Sequence, residues 1–94
     1  MPTPVPPLII GGGAAGLFAG CLAGEHGLGT LILERKHKPG RKLLMCGNGR
    51  CNLTKDIAPA QMLSDMGAPM SDFLAPALNA CSPAAVQAWF QRHS

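Results

Sequence analysis

Apolar positions near the start of the chain follow two different patterns. Leu8-Ile9-Ile10 is a short β-branched run bounded by glycines, which predicts a buried strand. Residues 14–26 predict a helix ending at Gly27, because apolar side chains recur at spacings of three and four, at Leu17, Phe18, Cys21 and Leu22. Residues 30–34 predict a second strand. The helix-length connection between the two strands indicates a right-handed crossover between parallel strands.

Patterning is weaker after position 34. We predict a short helical turn at residues 42–46, no regular element over 56–70, and a helix over 71–80 in which Pro76 lies near the start or causes a kink. The last helix is clearer, since Ser82 is a good N-cap, Pro83 suits the first helical position, and Val86, Trp89 and Phe90 share one face. The fold class predicted is α/β: an incomplete Rossmann-like βαβ dinucleotide-binding unit at about 8–34, followed by short helices, with a helical tail over 71–94.

A glycine fingerprint lies between the first predicted strand and the helix. In it, Gly11 permits a tight turn, Gly13 allows a pyrophosphate to approach the backbone, and Gly16 lets the helix lie close to the sheet. The pyrophosphate would meet free N–H groups at the positive end of the helix. Glu34 ends the second strand at the expected separation, so we expect it to accept hydrogen bonds from the adenosine ribose. Its charge disfavours a 2′-phosphate, and with it NADP as the first choice.

Charge is concentrated in the next segment. The net charge is +3, and six of the eight Lys and Arg residues lie between positions 35 and 50 without an intervening Asp or Glu: Arg35, Lys36, Lys38, Arg41, Lys42 and Arg50. This segment suits an anionic partner such as a phosphate group, the alternative being a solvated charged loop. It has no aromatic residue for stacking bases, so no nucleic-acid partner is expected. The four cysteines lack zinc-site spacing, and we predict reduced thiols, no metal and a cytoplasmic protein.

A membrane interpretation competes for the same glycines. Residues 8–24 carry no charge, and Gly12, Gly16, Gly20 and Gly24 recur at every fourth position, as in packed transmembrane helices. The stretch is at the short limit for a span, and the strand ending at Glu34 has no place in this interpretation. We therefore expect no membrane partner and keep a short glycine-zipper protein as the weaker alternative.

Three stretches carry a family resemblance. Residues 9–17 (IIGGGAAGL) look like the start of many FAD enzymes with two dinucleotide-binding domains. Residues 33–44 contain LER and KPGRKLL, and residues 47–54 read GNGRCNLT. Together they resemble the BaiN-like bacterial NAD(P)/FAD-dependent oxidoreductases, also described as aminoacetone-oxidase-family flavoproteins. The basic loop and GRCN motif then occupy residues 35–54.

The resemblance implies a flavoprotein that binds FAD and takes electrons from NAD(P)H. By position, the residues next to the pyrophosphate would be Gly11, Gly13, Ala14, Ala15 and Gly16, with Glu34 at the ribose. Arg35, Arg41 and Lys42 would lie on the adenosine and phosphate side, and Arg50 and Asn52 would approach the flavin or a loop beneath it. Cys51 is expected to be a small buried side chain rather than a redox group.

Length limits what this chain does alone. The resemblance covers almost all 94 residues but only the first part of the family's architecture. We therefore expect an FAD-binding N-terminal fragment of a flavin-dependent oxidoreductase, inactive by itself and without an identifiable catalytic residue. The alternative is a non-catalytic nucleotide-binding or assembly module that a separate chain completes.

Overall fold

The computed structural model describes residues 5–45 and 52–94. The chain divides into two compact units, a strand-containing unit at 1–52 and a helical unit at 53–94. The elements in chain order are β1 (Leu8–Ile10), α1 (Ala14–Glu25), β2 (Leu31–Leu33), α2 (Arg41–Leu44), α3 (Pro59–Met66), α4 (Met70–Ala80) and α5 (Pro83–Arg92). The predicted βαβ order is therefore confirmed.

β1 and β2 pair in parallel, with Ile9 opposite Ile32 at the centre of the register. Both of these side chains are half-buried on the face that α1 covers. The alternate positions point to the opposite face and are exposed, at Leu8, Ile10, Leu31 and Leu33. The second strand is shorter than predicted, because Thr30 and Glu34 lie outside the paired segment.

Small residues bring α1 close to this sheet. A side chain at Gly20 would lie 3.1 Å from Ile32 Cδ1 and 3.8 Å from Ile9 Cδ1. Leu17, Phe18 and Leu22 are half-buried, as their spacing predicts. Cys21 is exposed, so its inclusion in the apolar stripe was wrong. Gly20, and not Cys21, faces Ile9 and Ile32, and Cys21 lies about 100° further round the helix from that contact.

The end of α1 is closed by backbone hydrogen bonds. The Leu28 N–H donates to the Ala23 carbonyl at 2.9 Å, and the Gly27 N–H donates to the Gly24 carbonyl at 3.0 Å. This pair of bonds is a Schellman motif, with Gly27 at a φ of 75° and His26 as the C-cap. The predicted stop at Gly27 is confirmed.

The helical unit contains one helix that the sequence analysis missed. α3 begins at Pro59 and includes a 2.8 Å hydrogen bond from Gln61 to Asp65, one turn apart, where no regular element was predicted. Pro59 occupies the first turn, in which proline costs a helix little. α3 packs against α4. Pro76 lies in the interior of α4 rather than near its start.

The last helix forms as predicted. The Ser82 hydroxyl accepts a hydrogen bond from the Ala85 N–H at 3.1 Å, and Pro83 occupies the first helical turn. In the part of the chain that the structure describes, none of the helices has both the length and the apolar character needed to cross a lipid bilayer.

Candidate functional site

The glycine turn, residues 11–16, connects β1 to α1. Gly11 continues the ladder, since its N–H donates to the Leu33 carbonyl at 2.8 Å, and then turns the chain with a φ of 101°. Residues that carry a side chain rarely adopt this backbone conformation, so a glycine is needed at the point where the strand ends. The turn thus directs the chain from the sheet into α1.

The N-terminal end of α1 is open to solvent. Its N-cap is Gly13, which has an extended backbone and no side chain to cap the helix. The first intrahelical bond runs from the Leu17 N–H to the Gly13 carbonyl at 2.9 Å. The N–H groups of Ala14, Ala15 and Gly16 therefore precede the helical ladder, as in any α-helix. Gly13, Ala14 and Ala15 are exposed, an arrangement that suits an anion at the positive end of the helix dipole.

Gly13 and Gly16, the last two glycines of the glycine turn, have different surroundings. A Cβ on Gly13 would have nothing within 4 Å, so the space beside it is free for a ligand. A Cβ on Gly16 would overlap the carbonyl oxygen of Gly11 and lie 3.1 Å from Ile9 Cγ2. Close contact between α1 and the sheet therefore accounts for Gly16. The binding roles expected of both residues stay predictions.

Glu34 lies directly after β2 and reaches back to the glycine turn. Its Oε1 accepts a hydrogen bond from the Gly12 N–H at 2.9 Å, and its Oε2 accepts one from the Lys36 N–H at 2.8 Å. The Lys36 and Gly12 N–H groups lower the pKa of this carboxyl, partly opposed by desolvation, and the Arg35 and Lys36 charges lower it further. Glu34 is thus held as a carboxylate beside the turn, while its expected contact with a ribose stays a prediction.

The basic residues that follow Glu34 are exposed, and two of them begin α2. Gly40 donates its N–H to the Gly12 carbonyl at 2.6 Å, so Arg41 and Lys42 start directly beside the glycine turn. A cavity of about 200 Å³ opens here, lined by His37, Lys38, Arg41 and Leu44. The sequence analysis did not single out His37 or Lys38 as site residues, although both belong to its basic segment.

The remaining candidate residues belong to α2 and to the GRCN motif. α2 begins at Arg41 rather than at the predicted residue 42. Arg50 and Cys51, the centre of the GRCN motif, lie outside the described residues, as does Cys46. Asn52 is exposed in an irregular segment. Proximity of Arg50 and Asn52 to a flavin stays a prediction.

A parallel βαβ crossover with a glycine turn at the start of its helix defines a Rossmann-like domain. The chain belongs to the family described as the HI0933-like protein Rossmann domain, whose model matches residues 6–94. This match confirms the resemblance to the BaiN-like flavoproteins and the α/β fold class predicted from the sequence. It also supports a dinucleotide-binding segment of a flavoprotein family.

Three curated relatives match part of the chain. The ribosomal RNA dihydrouridine synthase of Escherichia coli (strain K12) is 55% identical over 58 residues, covering 61% of this chain and 14% of the relative. A protein of the same name from Haemophilus influenzae is 43% identical over 58 residues, with the same two shares. The 3-dehydro-bile acid delta(4,6)-reductase of Clostridium scindens is 46% identical over 54 residues, covering 55% of this chain and 13% of the relative. The matched segment is therefore a small part of each relative's length.

Proposed function

We propose that this chain forms the part of an FAD site that holds the ADP moiety, within a flavin-dependent oxidoreductase. The observation that supports it is the open start of α1: Gly13 has free space where a Cβ would lie, and exposed N–H groups follow it. A pyrophosphate needs close backbone approach and several N–H donors, and this turn offers both.

Each predicted binding residue has a defined part in this proposal. The N–H groups of Gly13, Ala14, Ala15 and Gly16 donate to the pyrophosphate oxygens, and Gly11 turns the chain toward them. Glu34 accepts from the ribose hydroxyls, since an ionised carboxylate has about four acceptor sites and two are occupied here. Arg35, Arg41 and Lys42 supply positive charge on the adenosine and phosphate side. Arg50 and Asn52 extend the site toward the flavin.

FAD, when bound, would supply the redox chemistry, taking a hydride from NAD(P)H and delivering it to a substrate. The residues of this chain bind and orient the cofactor.

The proposal is tested by titrating the full chain with FAD, ADP and FMN, followed by backbone amide chemical shifts. We expect FAD and ADP to shift the amides of residues 13–16, and FMN, which lacks the ADP moiety, to leave them unchanged. Gly13→Ala should weaken both effective ligands about tenfold or more, because its Cβ occupies the space that the phosphates need. Equal binding of FMN, or stoichiometric binding of NAD without FAD, would refute the proposal.

A second experiment concerns retention of the cofactor. We expect the chain purified alone to release little FAD and to have a weak flavin absorbance, because its matched segment is only 14% of the Escherichia coli relative's length. Co-expression with the downstream portion of a family member should raise the retained FAD toward one per chain. Restored retention with a separate polypeptide, but no turnover of NAD(P)H, would instead favour the assembly-module alternative.

A second candidate function is binding of ribosomal RNA as the substrate, because two relatives are named as ribosomal RNA dihydrouridine synthases. The exposed cations of residues 35–42 are the feature of this chain that suits a phosphate backbone. The expectation of no nucleic-acid partner stays a prediction. It is tested by binding of the chain to a ribosomal RNA fragment across a salt series. Affinity that falls steeply with salt, and is reduced by replacing Arg35 and Lys36 with Gln, would overturn it.

A further inference from the structure

Gly12 is buried, and both of its backbone polar groups are hydrogen-bonded within the protein. Its N–H donates to Glu34 Oε1 at 2.9 Å, and its carbonyl accepts the Gly40 N–H at 2.6 Å. A Cβ built on Gly12 would lie 2.8 Å from Pro39 Cβ and 3.4 Å from Pro39 Cα. Gly12 is buried, whereas Gly13, the next residue, is exposed. Adjacent glycines thus face two different partners, the protein and the open site.

The glycine fingerprint does not account for a glycine at position 12. In a GxGxxG pattern that position is one of the variable ones, and its side chain is not required to be absent by the ligand. Here the requirement comes from Pro39, because a separation of 2.8 Å between two carbon atoms is well inside van der Waals contact. The need for glycine therefore arises from the loop that crosses the turn.

This loop is itself anchored to the rest of the unit. Gly40 is buried, and a Cβ on it would lie 3.3 Å from Leu17 Cδ1 on α1. Glu34 holds the start of the loop through the Lys36 N–H and the glycine turn through the Gly12 N–H. The loop is consequently tied to the turn at both of its ends.

We propose that Glu34, Pro39 and Gly40 form a lock on Gly12 that fixes the glycine turn in its ligand-binding conformation before any nucleotide arrives. With both its N–H and its carbonyl engaged, the two peptide groups of Gly12 are held, and the Gly13 N–H, which shares a peptide plane with the Gly12 carbonyl, is held with them. A preorganised turn loses less conformational entropy on binding. The inference rests on the proposed nucleotide function and makes these three residues positioning residues.

The test compares the full chain with three variants and their controls by two measurements. Gly12→Ala introduces the clash with Pro39, Gly13→Ala adds a methyl group on the open side, and Gly12→Ala with Pro39→Gly removes the clashing Cβ. The first measurement is hydrogen exchange at the Gly40 and Lys36 amides without nucleotide. The second is the dissociation constant for ADP from an amide chemical-shift titration. Pro39→Gly alone is the control for added loop flexibility.

We expect Gly12→Ala to speed exchange at Gly40 and to weaken ADP binding, each about tenfold or more. Gly13→Ala should weaken ADP binding with exchange at Gly40 unchanged. The double variant should recover both properties relative to Gly12→Ala, which a general loss of stability would not allow. Ser82→Ala, which lowers stability in the helical unit, should change neither measurement.

Unchanged exchange at Gly40 in Gly12→Ala, or a double variant as defective as the single one, would overturn the lock. Should Gly12→Ala fail to fold, Glu34→Gln is informative, because its amide has one acceptor oxygen and cannot accept from both N–H groups. Faster exchange at Lys36 or Gly12 then supports the lock, and unchanged exchange at both contradicts it. If the wild-type chain shows no ADP-dependent shifts, the nucleotide function fails, while the exchange data still decide whether the lock exists.

Discussion

The two ends of the glycine row at 12, 16, 20 and 24 have the same sequence spacing and different surroundings. At the start of the row, a side chain on Gly12 would meet Pro39, and one on Gly16 would overlap the Gly11 carbonyl oxygen. At the end, a side chain on Gly24 would have nothing within 4 Å. The regular spacing therefore has no single cause. Contact with the loop, the strand end and the sheet accounts for the first three glycines in turn.

The largest effect is expected from Gly16→Ala. Its methyl group would be forced against a backbone carbonyl that cannot move without breaking the turn, and against Ile9 Cγ2 at 3.1 Å. We expect a loss of about 1–3 kcal/mol or more in the free energy of unfolding, measured by urea denaturation. A variant as stable as the wild type would mean that α1 does not lie this close to the sheet.

Gly24→Ala should act in the opposite direction. Alanine is favoured over glycine in a helix interior by about 0.8–1.0 kcal/mol, and no contact opposes the added methyl group here. Because Gly24 lies in the last turn of α1, the same denaturation experiment should show a gain of at most that size. Destabilisation, together with partitioning of the chain into membranes, would revive the glycine-zipper alternative, in which Gly24 packs against another helix.

Gly20→Ala combines the steric contact of the first variant with the helix-propensity gain of the second, and it should change stability least. The helix-propensity gain is opposed by a contact of 3.1 Å with Ile32 Cδ1, the flexible end of a side chain. We expect a net change within about 0.5 kcal/mol of zero. Relative to Ile32→Val alone, which removes that δ-carbon, the double variant should show the propensity gain; the absence of a gain over Ile32→Val would contradict the contact.

Lowering the pH should affect the hydrogen bonds near the start of α1 and leave those at its end unchanged. Glu34 is hydrogen-bonded in its charged form, and its pKa lies below the ordinary value of 4.5. Its stabilising effect is therefore complete above pH 4.5 and is lost as the pH falls through the lowered pKa. The Gly12 and Lys36 amide shifts should follow that titration, whereas those of Gly27 and Leu28, whose acceptors are carbonyls, should not. In Glu34→Gln the inflection should disappear; its persistence would assign the titration to another group.

Local signals were sufficient for the βαβ segment. The run at residues 8–10, the glycines after it and the helical spacing of Leu17, Phe18 and Leu22 each reflect geometry over a few residues, and the observed elements agree. Ser82 and Pro83 likewise predicted their helix start. α3 was missed because its proline and its mixed polar sequence were interpreted as interruptions, although proline in a first turn is compatible with a helix.

The sequence predicted some residues of the candidate site but not the contacts between them. Spacing predicted Glu34 as an acceptor for a ribose but gave no sign of its bond to the Gly12 N–H, 22 positions away. The contact of Pro39 and Gly40 with Gly12 depends on how the loop after β2 folds back, which no periodicity encodes. The sequence analysis named Gly12 only as part of the glycine row, although a fourth glycine at a variable position of the fingerprint is a signal of close contact.

Parallel pairing of β1 and β2 also affects how the chain reaches this structure. Each residue pair in the register is 23 positions apart, so no hairpin can form the sheet and α1 has to be spanned first. At a synthesis rate of about 5–20 residues per second, β1 is made roughly 1–5 s before its partner. Helix formation takes about a microsecond or less, so α1 has time to form next to an unpaired β1. The sheet is therefore completed only after synthesis has passed Leu33.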